Sequence, residues 1–481
     1  MNSERILEIF REITAIPRES GHEEPMTQYL MDYAQKLGLK AVKDSTGNVV
    51  ITREATDPVK KGAPALVLQA HQDMVCEKNE GVAHDFAKDP IKYVIEDGWM
   101  IAKDTTLGAD DGIGIAACLA LLESDIPTAK LECLFTISEE TGMDGAMALE
   151  AGMFTGNTLI NLDSEDEGQL FVGCAGGVTT MATFSYKEEA VVPGSVSLKL
   201  SIYDAKGGHS GDDINKGRCN TVQQMARFLF EEAKAARYQL VSVDGGNKHN
   251  AIARECRATI ALSAADAEGT KARFNDFMKA LAVEFSVTDP EVKGSCAQAP
   301  AASVAIDGCT AKRLIASMVA VHHGVLNMSQ DIPDLVETSN NLASVKMPQP
   351  GKIEICTSQR SSIESARDFI ADKIEACFTL AGAEVIRMDP YPGWKPNLKS
   401  DILKLSVHEY KALFGYDPEV KAIHAGLECG LFLEKFPGLD MISFGPTLRG
   451  VHAPGEKLEL ASLDKFARHL EAVVKNYPLS K

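Results

Sequence analysis

The sequence predicts an α/β domain interrupted by an inserted α+β domain, and three observations carry that prediction. Helix-like and strand-like patterns alternate through the first third, longer half-polar alternating runs take over near residue 178, and strand–helix patterns resume after the Pro-rich stretch DPYPGWKPN at 389–397. The outer domain is therefore taken as residues 1–177 and 398–481, and the insert as 178–397. A chain of 481 residues exceeds the usual single-domain size, and 45% hydrophobic content supplies material for more than one core.

In order along the chain, ERILEIFREI and PMTQYLMDYAQKLG place apolar residues at helical spacing, and NVVITRE and APALVLQA read as strands. A loop-rich stretch leads to a Gly-rich turn that opens the helix GIGIAACLALLES; the strand LECLFTI and the short strand TLINLD follow. In the insert, SVSLKLSIYDA, RATIALSAA and GKIEICTSQ alternate as half-exposed strands should, interleaved with helices such as NTVQQMARFLFEEAKAA. There is no short repeat and no low-complexity tract.

Composition narrows the function classes. The 49 Lys and Arg against 68 Asp and Glu give a net charge of −19, which opposes nucleic acid and anionic membranes as partners and favours cations, metal ions included. MNSERILEIFREI is a charged amphipathic helix without the apolar core of a signal peptide, and no run reaches the roughly 18 apolar residues of a membrane span. The eleven cysteines form no CxxC pair and sit mostly among apolar neighbours, as reduced thiols in the cores of a cytoplasmic protein would.

Five segments end a predicted strand or open a loop with metal-competent side chains: LQAHQD (His71, Asp73), LGADDGIG (Asp110, Asp111), SEETG (Glu139, Glu140), NLDSED (Asp163) and RGVHAPGE (His452). In open α/β sheets ligands gather at the carboxyl ends of strands, so residues distant in sequence can converge there. Adjacent Glu139 and Glu140 in an apolar setting repel one another, and a metal ion would neutralise one while freeing the other for a different task. GADDGIG is not a dinucleotide loop: its glycine spacing departs from G-x-G-x-x-G, and acids at that turn would repel phosphate.

The ordered set HxD, GADDG, EEtG, NLDsE and a late His-Ala-Pro resembles the di-metal M20 metallopeptidases over nearly the whole chain. TTLGADDGIGIAA, LINLDSED, AKGGHSGDDI, AHQDMV and HAGLECG resemble the aminoacyl-histidine dipeptidase group in particular. The resemblance implies a zinc-peptidase-like catalytic domain, with a mixed sheet flanked by helices, and an inserted lid. It makes His71 and Asp163 ligands of one divalent ion, Glu140 and His452 ligands of a second, and Asp110 the bridge, with zinc expected and manganese or cobalt as alternatives. Asp73 would orient the His71 ring, Glu139 would be the general base, and the Asp110–Asp111 peptide would be cis.

On the substrate side the resemblance gives His209 in KGGHSGDD as an oxyanion donor, Asn250 in KHNAIARE as its neighbour, and Arg360 in TSQRSS as the clamp on a substrate α-carboxylate. An edge-strand arginine in solvent is the rival for Arg360. Glu428 in HAGLECG is a candidate partner for a substrate amino group; His424, four residues earlier, stays undecided, with a plain core-facing helix as the alternative for both. His84 and the pair His322 and His323 read as structural.

The implied activity is hydrolysis of dipeptides with C-terminal histidine, using water activated by two metal ions. Alternatives are an N-acyl amino acid acylase or deacetylase of the same superfamily, a catalytically silent binding protein, and a two-carboxylate glycosidase, for which adjacent glutamates are badly spaced. The insert is about twice the size of one α/β layer, so a doubled lid within one chain is expected, together with a homodimer.

Overall fold

A computed structural model of the chain describes residues 1–478, and two compact units emerge: Met1–Gly173 with Lys395–Ala422 and Leu427–Lys481, and Cys174–Trp394 with Ile423–Gly426.

The first unit is α/β. Among the described residues its larger sheet has eight strands, in the order Lys40–Lys43, Val49–Arg53, Leu131–Thr136, Leu66–His71, Thr158–Asn161, Asp440–Ser443, Gln169–Cys174 and Glu419–Ile423. The four strands Leu131–Thr136, Leu66–His71, Thr158–Asn161 and Asp440–Ser443 are mutually parallel, so their carboxyl ends share one edge of the sheet. LECLFT, LVLQAH and TLIN are buried at every position, which is why they read as continuous rather than alternating apolar runs. Helix Ala109–Glu123 is apolar on nearly all sides and buried from Gly112 to Leu122; the amphipathic helix Ser3–Ile13 packs against it through Ile6, Ile9, Phe10 and Ile13. A second sheet has four short strands, Leu448–Arg449, Lys457–Glu459, Trp99–Ala102 and Tyr93–Glu96, the last two of them in the stretch that the sequence marks only as loop.

The second unit holds an antiparallel sheet of nine strands among the described residues. One half is Lys293–Ala299, Ser195–Tyr203, Cys256–Ser263 and Tyr238–Gly245; the other contains Val336–Gln349, Lys352–Ser361, Gly176–Ser185 and Glu384–Tyr391, with Gly324–Met328 paired to Val336–Gln349. The halves are joined at the pairing of Gly245 with Val345. Helices Thr221–Ala235, Ala264–Glu284, Gly308–Ala320 and Glu364–Leu380 bury Val222, Phe228, Phe274, Leu314, Ile370 and Phe378 against Leu198, Ile260, Leu342 and Ile355 in one core. Lys352–Ser361 lies between two other strands. The eleven cysteines are thiols rather than disulfides, and seven are buried. Among the described residues no helix is long and apolar enough to cross a membrane.

Candidate metal centre and substrate residues

The carboxyl ends of the parallel strands gather the predicted ligands. His71 is the last residue of its strand and is buried; Glu139 and Glu140 open a short helix after Leu131–Thr136, and Asp163 follows Thr158–Asn161. The Nε2 of His71 lies 2.9 Å from Asp110 Oδ1 and 3.5 Å from Asp163 Oδ1. The Nε2 of His452 lies 3.2 Å from Asp110 Oδ2 and 2.9 Å from Glu140 Oε1. Each oxygen of Asp110 thus faces a different histidine. His71, Asp110 and Asp163 present ligand atoms within 4.8 Å of one another, as do Asp110, Glu140 and His452; His71, Glu139 and Glu140 form a third such group. The Asp110–Asp111 peptide is cis.

So many carboxyls in one buried place are electrostatically strained without a cation. Desolvation, reinforced by the neighbouring acids, holds Glu139, Glu140 and Asp163 above the ordinary carboxylate range. Burial acts on Asp110 in the same sense, but hydrogen bonds from His452 and His71 overcome it and hold that carboxyl low. Burial likewise opposes charge on His452, yet Asp110 and Glu140 push its pKa up to about 11. The arrangement therefore favours positive charge among these acids, whether from protons on the imidazoles or from divalent ions. Two imidazole nitrogens and three carboxylates suit zinc, manganese or cobalt, and the two groups that share Asp110 fit two ions.

Asp73 is fully buried and does more than face His71 Nδ1 at 3.1 Å. Its Oδ1 also accepts the Glu139 N–H at 3.1 Å, and its Oδ2 accepts from Ser20 Oγ at 2.7 Å and from the Glu140 N–H at 3.2 Å. Burial opposes the charge, but the His71 contact and these donors lower its pKa to about 2. Ser20, and Glu23, which accepts from the Ser138 N–H and hydroxyl at 2.9 Å, were missed in the sequence. Their only signal is the polar run RESGHEE between two helices, indistinguishable there from a solvated loop.

Glu428 is fully buried beneath these strands. Its Oε2 accepts from Gln69 Nε2 at 2.7 Å and Thr136 Oγ1 at 2.9 Å, while Oε1 has no hydrogen-bond partner among the described residues. Desolvation raises its pKa to about 7. The alternative of one helix carrying both His424 and Glu428 is corrected: the extended Leu427 (φ −138°, ψ 151°) precedes a helix that begins at Glu428. His424 lies before it, buried, with Nε2 2.8 Å from Ser339 Oγ and Nδ1 unpartnered among the described residues.

In the second unit the loops of His209 and Asn250 meet: the Ser210 N–H donates to the Asn250 carbonyl at 2.8 Å, and His209 bridges Ala251. His209 Nδ1 accepts the Asp212 N–H at 3.2 Å; Asn250 is exposed. The edge-strand alternative for Arg360 is also corrected. Its strand is interior and the residue is 6% exposed, with Nη1 donating to Tyr391 Oη at 3.0 Å and Nε to Ser210 Oγ at 3.4 Å. Its partners are hydroxyls, so the guanidinium keeps capacity for an anion. The three histidines read as structural meet close neighbours: His84 packs edge-on to Phe86, His322 Nε2 contacts the Gly324 and Val325 carbonyls, and His323 Nδ1 accepts the Leu342 N–H.

Residues 67–476 match the model of peptidase family M20/M25/M40. The cytosol non-specific dipeptidase of Escherichia coli (strain K12) is 37% identical over 482 aligned residues, covering 99% of this chain and 98% of that protein. The crystal structure of aminoacylhistidine dipeptidase from Vibrio alginolyticus matches with a TM-score of 0.90 and 38% identity, over 99% of this chain and 97% of that one. Aminopeptidase PepT from Bacillus cereus ATCC 10987, at TM-score 0.57 and 17% identity over 99% and 98% of the chains, shares the fold.

Proposed function

The chain belongs to peptidase family M20/M25/M40, and from that membership we propose that it is a two-metal dipeptidase acting on short peptides, with C-terminal histidine dipeptides preferred. The observation that carries the metal chemistry is Asp110, whose two oxygens face His71 and His452 separately. His71, Asp110 and Asp163 would hold one divalent ion and Asp110, Glu140 and His452 another, zinc by donor type. Ions bound there would acidify a water and polarise the scissile carbonyl. Glu139, whose carboxyl makes no histidine hydrogen bond among the described residues, would serve as general base, taking a proton from the attacking water and returning it to the leaving amine. Asp73 fixes the tautomer of His71 so that Nε2 keeps its lone pair for a ligand bond.

His209 and Asn250 serve the developing oxyanion, and Arg360 takes the substrate α-carboxylate as a planar two-point donor. Glu428 is the candidate acceptor for the substrate ammonium, the group that N-acyl substrates lack, through its unpartnered Oε1; the residue is fully buried, so substrate must displace its surroundings to reach it. The preference for histidine is supported by the name of the Vibrio alginolyticus relative; the Escherichia coli relative is named non-specific, so the preference is the part to test. The second unit reads as a doubled α/β lid, two half-sheets joined at one residue pair. We assign the protein to the cytoplasm, in keeping with cysteines that are thiols rather than disulfides and with the relative named cytosolic, and as a homodimer; its charge of −19 disfavours nucleic acid.

The test is metal analysis of the purified protein followed by hydrolysis of Xaa-His, Xaa-Ala and N-acyl amino acid substrates. Two ions per chain, with kcat/KM highest for Xaa-His, are expected. Faster cleavage of N-acyl amino acids than of any dipeptide would overturn the assignment.

A further inference from the structure

Asp110 is delivered by the turn at Gly108, and two buried charged side chains hold that turn, one through its N–H groups and the other through a carbonyl. Glu456, 2% exposed, accepts the N–H groups of Leu107 (2.7 Å) and Gly108 (3.0 Å) on Oε2 and of Ala109 (2.8 Å) on Oε1. Arg18, also 2% exposed, donates through Nη2 to the Gly108 carbonyl and through Nη1 to the carbonyls of Asp73 (2.6 Å) and Gln72 (3.1 Å). The fit is close: Gly108 has φ +69°, and a Cβ there would come within 2.5 Å of Arg18 Nη2.

We propose that Arg18 and Glu456 are positioning residues, a clamp on the Gly108 turn that sets Asp110 against the segments bearing His71 and His452. The connectivity carries it. Arg18 reaches the two carbonyls immediately after His71 and the one two residues before Asp110, while Glu456 lies four residues after His452 and grips the N–H groups just before Asp110. Three segments that bring ligands from distant parts of the chain are thereby joined by two side chains. A buried charge is retained only where it is well satisfied, and both here spend their hydrogen bonds on the backbone of the ligand-bearing loops. A bridging carboxylate must serve two ions with separate oxygens, so a small rotation of its turn weakens both sites together.

The inference rests on the two-metal assignment above, and the experiment separates the two. Metal content and chelator competition are measured on the wild-type protein, Glu456→Gln, Arg18→Lys and a control, Glu132→Gln, together with kcat, KM and thermal unfolding. Glu132 is another buried carboxylate, 2% exposed, that accepts the N–H groups of Thr155 (2.7 Å) and Gly156 (2.9 Å). Expected are a tenfold or greater loss of metal affinity and a fall in kcat with KM within about threefold in Glu456→Gln, a smaller loss in Arg18→Lys, and none in Glu132→Gln whatever its loss of thermal stability. If Glu456→Gln does not fold, Arg18→Lys carries the comparison. Wild-type metal affinity in the folded clamp variants, or an equal loss in Glu132→Gln, overturns the clamp; a wild-type protein that binds no metal overturns the two-metal assignment instead.

Discussion

Replacing Asp73 by Asn probes the metal centre without touching a ligand. The carboxylate has four contacts, Oδ1 with His71 Nδ1 and the Glu139 N–H, and Oδ2 with Ser20 Oγ and the Glu140 N–H. An amide offers one acceptor oxygen, so two of the four must face an NH2. With the amide nitrogen on the Oδ1 side, both the imidazole N–H and the Glu139 N–H are opposed. With it on the Oδ2 side, the Ser20 hydroxyl can rotate to accept, and only the Glu140 N–H loses its partner. The second orientation is therefore expected, at a cost of about 1–3 kcal/mol for one buried unsatisfied donor. That cost falls on the segment carrying Glu140, so the ion between Asp110, Glu140 and His452 should be held about 10- to 100-fold more weakly, while the ion on His71 is less affected. Stepwise chelator titration, following metal per chain, reads this directly. Two ions released together at the wild-type chelator concentration would refute the reasoning.

Glu139→Gln is expected to lower kcat by about 10²- to 10⁴-fold while both ions stay bound, whereas Glu140→Gln should lose metal; near-normal turnover of fully loaded Glu139→Gln would contradict the base assignment. Arg360→Ala should raise KM for free dipeptides about 10- to 100-fold more than for their C-terminal amides, the worth of one charge-assisted contact, and equal effects would remove Arg360 from the substrate. In metal-free protein, Glu139 and Asp163 hold their protons longer folded than unfolded, so stability is present below about pH 4 and falls as pH rises through their folded pKa values. His452, raised to about 11, contributes stability that is full below about pH 6.5 and declines above it. Metal ions replace those protons, so the rise in Tm on adding zinc should be larger at pH 7.5 than at pH 5.5; equal rises would contradict the assigned electrostatics.

The α/β class was legible because buried parallel strands must be apolar on both faces, and LVLQAH, LECLFT and TLIN state that in residues. The positions that end those strands were legible for a related reason: once a strand leaves the core, a His or Asp in place of the next apolar residue needs a purpose. Arg360 was ambiguous because an alternating strand reads the same whether it is central or at an edge, and only pairing with neighbours on both sides decides. The Trp99–Ala102 and Tyr93–Glu96 pair escaped notice because each is four residues long and partly exposed, with too few alternations to stand out from a loop, whereas the equally short TLIN is buried throughout.

Arg18, Ser20, Glu23 and Glu456 were invisible for a different reason. A polar or charged residue in a loop carries the same local signal whether it points to water or inward, and the partners here, most of them backbone groups, lie up to 349 positions away, as with Glu456 and Leu107. Periodicity reports which face an element buries, and motif spacing reports which donors share a strand end. Neither reports which loop amides and carbonyls lack a partner once the strands are packed. Those orphan groups arise wherever ligand-bearing loops leave the sheet edge, and each needs a buried side chain of the right charge to satisfy it. The residues that hold a metal centre in place are therefore found by asking which loop backbone groups are satisfied, and by what, after the ligands themselves have been read from the sequence.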